Sequence, residues 1–312
     1  NTVSTNFGPN GYKNLKAKLG NQSDWSLNAF TATNNGFREL SGYDQQKLKI
    51  RSDYQWNDFI ASLKITLTNL NQETAGYITG IDSYNDSSLN RKNFNPEAFR
   101  DADSQRLSLN LKREEKNGLS TNTPYLRRND MKFLQHFLPG TPVEENNHSS
   151  LGLIFKRLFK SENFSVTSGF QIELADAELI ETQANALTTS SAFNNATRPQ
   201  GKHYDYEVDS RIYSLFLGIE DLYIKNDLLF YADFRGESIK YDYNNKMNSG
   251  NTREDGTNCG FGGCYYNRPD DRSDTYNELS ARIGITTDYD VVNYFIQTSQ
   301  GFRPPQINEA YR

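Results

Sequence analysis

From Lys47 to Trp56 the apolar side chains fall at Leu48, Ile50, Tyr54 and Trp56, with Lys47, Lys49, Arg51, Asp53 and Gln55 between them. After Asn57-Asp58 the alternation resumes, with Phe59, Ala61, Leu63, Ile65 and Leu67 set against Ser62, Lys64, Thr66 and Thr68. A period of two gives each strand one apolar and one polar side, and two such strands across a tight turn form an antiparallel hairpin. The unit recurs at Val3–Phe7, Tyr12–Leu19, Trp25–Ala32, Gln105–Lys112, Leu119–Arg127, Ser150–Phe159, Phe164–Leu174, Val208–Glu220, Leu228–Tyr243, Tyr276–Thr286 and Val291–Ser299. The spacing therefore predicts about thirteen strands, and no helical period longer than about two turns interrupts them.

The connections sort by length. Short ones (Gly20–Asp24, Asn57-Asp58, Glu114–Gly118, Lys160–Asn163, Asp221–Asp227, Asp288–Asp290) alternate with long ones (Thr33–Asp44, Asn69–Ser104, Asn129–Ser149, Ala175–Tyr206, Asn244–Thr275). Only the opening turn Gly8–Gly11 departs from the alternation. Tight turns at one end and long loops at the other are the pattern of an outer-membrane β-barrel. Aromatic residues gather at the short-turn end: Trp25, Trp56, Phe59, Phe159, Phe164, Tyr223 and Tyr289. Rings with one polar end favour a membrane interface, although aromatic residues also favour strands in general. The fold class predicted is all-β, an antiparallel transmembrane barrel of meander hairpins. Its wet side would carry Lys16, Lys18, Lys47, Lys49, Arg51, Lys64, Arg106, Lys112, Arg235 and Arg282 with Asp53, Glu173, Asp233 and Glu278. Pro124 lacks a ladder donor and is expected near the outer rim.

Composition fits this reading. The 312 residues are 35% hydrophobic and 13% aromatic, and the mean hydropathy is −0.80. A membrane strand shows lipid only its alternate residues, so low hydropathy does not exclude one. The net charge of −5 gives no reason to expect a nucleic-acid partner. Cys259 and Cys264 share one glycine-rich loop and predict a local disulfide in an oxidising compartment, with two free thiols as the alternative. No histidine lies near them, so no metal site is expected there.

The segment Gly301-Phe302-Arg303-Pro304-Pro305-Gln306-Ile307-Asn308-Glu309-Ala310-Tyr311-Arg312 resembles the strand-to-loop signature of TonB-dependent outer-membrane receptors. Ala310 stands where the family usually has Leu. Tyr43–Leu48, Glu73–Ile78, Pro124–Glu145 and Cys259–Arg272 also resemble family segments. The resemblance implies a barrel of about 22 strands with a plugged lumen, residues 1–312 being part of that barrel domain. A plug, a TonB-binding segment and the remaining strands would lie outside this stretch; a complete barrel of about 12 strands is the alternative. It further implies a location in the outer membrane of a Gram-negative bacterium, contact with its lipid, coupling to TonB, and uptake of a scarce large solute. A ferric siderophore or other iron complex is the commonest cargo class. A passive porin-like channel shares the strand pattern and remains the alternative function.

Nothing suggests an enzyme or a resident cofactor. The histidines, His136, His148 and His203, all fall in predicted loops, and no Ser-His-Asp order, zinc spacing or phosphate loop is present. Candidate ligand contacts are therefore sought in the loops. Phe133, His136 and Phe137 belong to an apolar run that reads either as a binding platform or, by preference, as loop packing. Arg127 and Arg128 could attract an anionic chelate or simply be solvated. Tyr265, Tyr266 and Arg268, beside the cysteines, form a similar group.

Overall fold

The computed structural model describes residues 1–21, 24–225, 228–289 and 292–312. Thirteen strands form one antiparallel sheet, each paired with its neighbours in sequence. They are β1 (Thr2–Phe7), β2 (Lys13–Asn21), β3 (Trp25–Asn34), β4 (Tyr43–Trp56), β5 (Phe59–Glu73), β6 (Phe99–Glu115), β7 (Gly118–Leu134), β8 (Val143–Lys160), β9 (Ser165–Gln183), β10 (Gly201–Lys225), β11 (Leu228–Asn245), β12 (Arg272–Tyr289) and β13 (Val292–Gln300). Two short helices, α1 (Ala192–Thr197) and α2 (Ile307–Tyr311), lie at the long-loop end. Among the described residues β1 and β13 do not pair with each other, so the sheet is an open wall. The centres of three predicted turns, residues 22–23, 226–227 and 290–291, lie outside the described residues, as does the Tyr289 ring.

The register fixes the faces. Lys18, Asn28, Lys49, Thr66, Arg106, Arg127 and Ser150 occupy one continuous row across β2 to β8. Arg51, Lys64, Tyr125 and Glu173 share that face, as do Arg235 and Arg282 further along. The opposite face carries Ile50, Ile65, Leu107, Leu126, Leu151 and Leu174 in direct cross-strand succession. Several of these apolar side chains stand open, Leu151 being 54% exposed and Leu215 71%. Such a continuous apolar surface needs something apolar against it. From Leu151 to Phe159 it covers roughly 30 Å of strand, the length a tilted strand uses to cross hydrocarbon. Trp25, Tyr54, Trp56, Phe59 and Phe159 stand exposed at its short-turn edge.

Towards the long loops the polarity inverts. On β9, Phe170, Ile172 and Leu174 lie on the apolar face, but the next residues on that face are Asp176 and Glu178. On β10 the residues above Tyr213 on the same face are Arg211, Asp209, Glu207 and Asp205, and on β11 they are Lys240 and Asp242. Meanwhile Ala175, Leu179, Tyr206, Val208, Ile239, Tyr241 and Tyr243 turn to the other face and are buried. Above the belt the wall becomes a water-facing sheet with its core on the inside.

This inversion explains where sequence and structure differ. The apolar phase slips by one residue at Ala175, so the alternation seems to end there although the strand runs on to Gln183. For the same reason β10 starts at Gly201 rather than Val208, β8 at Val143 rather than Ser150, and β7 continues to Leu134 rather than Arg127. Pro124 is not at the rim. It sits within β7 opposite Leu153, and the β6–β7 ladder is interrupted between Ser108–Tyr125 and Leu111–Asn122 because the imide has no N–H to give. Asn110 Nδ2 donates to Thr123 Oγ1 across the gap at 2.7 Å. Tyr223 does not join the outer ring, since an irregularity between Ile219 and Leu222 pairs it with Leu229, which belongs to the polar face.

Candidate functional site

Two arrays occupy the polar face. The first is a ladder of side chains across β7 to β11, at the height of the apolar belt. Arg127 pairs with Glu173 and its Nε donates to Ser150 Oγ at 3.0 Å. Tyr125 Oη donates to Glu173 at 2.5 Å and accepts from Gln171 Nε2 at 3.3 Å. Arg235 Nη2 donates to Gln171 Oε1 at 3.1 Å and Ser214 Oγ at 2.8 Å, and pairs with Glu237. Gly152 is required here. A Cβ on it would come within 2.2 Å of the Tyr125 ring, so the absence of a side chain lets the ring lie across β8 and reach Glu173 on β9.

The second array is at the long-loop end and is closed by the segment 301–312. Arg303 and Glu309 pair at 2.9 Å, and a capping box of Gln306 with Glu309 starts α2. The helix delivers Tyr311, 1% exposed, onto the sheet. Its ring stacks on Tyr243 with centroids 4.4 Å apart, meets Tyr241 edge-on at 6.4 Å, and its hydroxyl donates to Asp274 at 2.9 Å. Phe302, Ile307 and Ala310 pack on the same cluster. Arg312 then reaches across to the residue that follows β7 and to β8 and β9. Its guanidinium donates to Glu144 at 2.5 Å, to Gln135 Oε1 at 3.1 Å and to Glu181, and lies 5.5 Å from the Tyr204 ring centroid.

The groups around Arg312 are buried: Gln135 2%, Glu144 6% and Glu181 4% exposed. Burial works against the charge on Arg312, but Glu181 and Glu144 more than offset it, and its pKa lies above the ordinary value. Burial, then the hydrogen bond to Asp274, pushes the Tyr311 hydroxyl pKa up. His203 Nδ1 faces Glu181 at 3.0 Å, and its Nε2 faces the Pro199 carbonyl at 2.8 Å. The hydroxyls of Tyr206, Tyr243 and Tyr266 are buried without a hydrogen-bond partner.

The residues singled out in the sequence are distributed around these arrays. Arg127 lies on the polar face inside the first array, whereas Arg128 points to the opposite face and pairs with Asp130 at 2.9 Å. Phe133 packs under Arg100, 5.7 Å from its guanidinium. The run 133–140 is a tight turn in which Leu134 and Gln135 are buried, Gln135 N donates to the Pro142 carbonyl at 2.9 Å, and Phe137 is 54% exposed. His136 packs edge-on against Phe137 at 5.9 Å, and its Nδ1 is buried without a partner. Cys259 and Cys264 are bonded, with Cα atoms 4.9 Å apart. Tyr266 stacks on His203 at 4.5 Å, and burial pushes its hydroxyl pKa up. Tyr265 is exposed, with Phe193 at 6.0 Å and Arg198 4.2 Å from its ring centre.

Arg268 lies inside its loop rather than on the surface. It is 1% exposed and its guanidinium is taken up by the carbonyls of Asn248 (2.6 Å), His203 (3.0 Å) and Thr252 (2.8 Å). It braces the 246–271 loop against β10. Sequence reading missed Gln135, Glu144, Glu181, Tyr204, Tyr206, Tyr241, Tyr243, Tyr311 and Arg312 as one cluster. The available signal was the paired tyrosines two apart, at 204 and 206 and at 241 and 243, which place both rings on one side of a strand. Among the described residues no group of three or more His, Cys, Asp or Glu could hold a metal ion.

No protein-family model matches the chain, and no curated protein sequence matches it. Solved structures do match. The ferric-catecholate import receptor Fiu of E. coli K12, in its open form, is 11% identical with a TM-score of 0.72, over 97% of this chain and 54% of that one. The siderophore receptor PiuA from Acinetobacter baumannii is 11% identical with a TM-score of 0.64, over 91% of this chain and 46% of that one. The ferric preacinetobactin receptor BauA, also from Acinetobacter baumannii, is 6% identical with a TM-score of 0.62, over 94% and 46%. The chain thus spans about half the length of the structures it matches. The fold is a wall of antiparallel membrane-barrel hairpins. More particularly, it is the barrel fold of TonB-dependent outer-membrane receptors, the family that Gly301–Arg312 resembles.

Proposed function

We propose that this chain forms part of the barrel of a TonB-dependent outer-membrane receptor that takes up a metal complex, most simply a ferric siderophore or another iron chelate. The observation that carries the reading is the two-faced wall. An exposed apolar belt with an aromatic edge suits lipid, while the opposite face holds charged side chains in ordered networks and closes over at the long-loop end. The matching structures include a ferric-catecholate import receptor, a siderophore receptor and a ferric preacinetobactin receptor, which supports iron chelates as the cargo class. The partners on this reading are outer-membrane lipid, an extracellular chelate and TonB.

The test is uptake of radiolabelled iron chelates by cells carrying the full gene, with and without TonB. Saturable, TonB-dependent uptake supports the reading. Uptake that continues unchanged without TonB, or ion conductance through an open pore of the purified protein, would favour a passive channel instead.

A further inference from the structure

The polar face carries its charges unevenly. Across β7 to β12 the belt-height arginines are matched: Arg127 by Glu173, Arg235 by Glu237 and Arg282 by Asp233. Across β2 to β6 the cations are not. Three adjacent cross-strand rows hold Lys16 and Lys47, then Lys18, Lys49 and Arg106, then Arg51 and Lys64. The other positions of these rows on β1 to β6 are Ser, Thr, Asn, Gly and Phe30, so the rows contain no carboxylate. They lie back to back with Leu48, Ile50, Ile65 and Leu67 of the apolar belt, and so at membrane depth. Lys47 is partly buried and the other cations are exposed. Among the described residues only Arg51 meets a carboxylate, Asp53 in the next row at 2.5 Å. Arg51 and Lys64 stand directly opposite each other, and like charges so placed repel. Over roughly 13 Å of strand the wall therefore carries a positive field that an anion relieves. Asn28, Thr66, Thr68 and Ser104 set hydrogen-bond donors between the cations.

We propose that this strip gathers anions: at membrane depth it concentrates oxyanionic solutes against the β2–β6 side of the lumen, away from the paired network on β7 to β12. Charge of one sign on a low-dielectric wall raises the local counter-ion concentration about tenfold or more. Ammonium and guanidinium groups interleaved with hydroxyls suit carboxylate, phosphate or phenolate oxygens. The uptake reading enters only in naming the solute as a metal chelate; the preference for anions does not depend on it.

The experiment uses the full-length receptor in phospholipid vesicles, with a nitroxide at Thr66 (Thr66→Cys, labelled), between Lys49 and Arg106, or at Ser280 (Ser280→Cys, labelled), opposite the paired Arg235. The readout is collision with chromium(III) oxalate, an anionic metal chelate, divided by collision with an uncharged nickel chelate. The ratio should be severalfold higher at Thr66 than at Ser280 and should fall as salt rises, since exposed charges are screened. Lys49→Gln with Arg106→Gln should lower it severalfold at Thr66, whereas Lys49→Arg with Arg106→Lys should preserve it. The comparison of Thr66 with Ser280, and its salt dependence, need no charge variant to fold. Equal ratios at the two sites, a ratio indifferent to salt or to the Gln substitutions, or a Thr66 label that neither reagent reaches, overturns the proposal. Failure of iron uptake in cells would overturn the transport reading and leave each collision ratio as it stands.

Discussion

Leu279 and Glu278 are adjacent on β12 and point to opposite faces. Leu279 lies opposite Gly236, itself opposite Leu215, in the middle of the apolar belt. It is 58% exposed. A Cβ built on Gly236 meets nothing within 4 Å, so no neighbour is close enough at that position to screen a charge. Leu279→Arg therefore puts a guanidinium into hydrocarbon near the midplane, which costs about 2–4 kcal/mol. At 1.4 kcal/mol per tenfold, that lowers the folding equilibrium roughly 30- to 700-fold. Glu278→Arg changes the same strand one residue earlier, but faces Glu237 across the ladder. Its cost is within about 0.5 kcal/mol, as for a surface site, and opposite charges now face each other. Urea titration of the full receptor folding reversibly into phospholipid vesicles reads both. Equal losses, or a larger loss for Glu278→Arg, would refute the assignment of the two faces.

Three further outcomes follow from particular contacts. Gly152→Val forces the Tyr125 ring off β8 and removes its bond to Glu173; overpacking of this kind costs about 1–3 kcal/mol, read by the same titration, and a neutral result would mean the Tyr125 ring is not fixed there. Arg268→Ala leaves the carbonyls of Asn248, His203 and Thr252 without their donor, so amide hydrogen exchange in residues 246–271 should speed up at least tenfold while the belt strands stay protected. The Glu309 pKa is lowered from 4.5, mainly by its hydrogen bond with Arg303. A lowered carboxylate pKa stabilises above the unfolded value and is lost as pH falls through the folded one. A label at Asn308 should therefore loosen on the acid side of pH 4.5 and not between pH 5 and pH 8; loosening confined to alkaline pH would contradict this.

The belt was legible in the sequence because hydrocarbon selects every second residue strictly. Leu107, Leu109 and Leu111 against Arg106, Ser108 and Asn110 give strand, register and face together. Above the belt the two sides meet water or the packed segment 301–312. The phase slip at Ala175, and the move of Tyr206, Val208 and Tyr243 to the inside, then read as loop. Segment 301–312 shows the same limit in another way. Gly301–Arg312 could be recognised by resemblance, yet nothing in its own order says that Arg312 lies against Glu144 and Glu181, residues 168 and 131 positions away. Arg268 stood out as a candidate because it lies beside aromatic residues in a loop; its carbonyl partners, Asn248 and Thr252 in that loop and His203 on β10, are not encoded in local pattern.

The most direct test is a nitroxide scan of residues 63–68 in the receptor reconstituted in phospholipid, reading collision with oxygen, which concentrates in hydrocarbon, and with a water-soluble nickel chelate. Labels at Leu63, Ile65 and Leu67 should favour oxygen, and labels at Lys64, Thr66 and Thr68 the nickel chelate, with a period of two. A flat profile, a period near 3.6, or the same alternation in opposite phase would contradict the account.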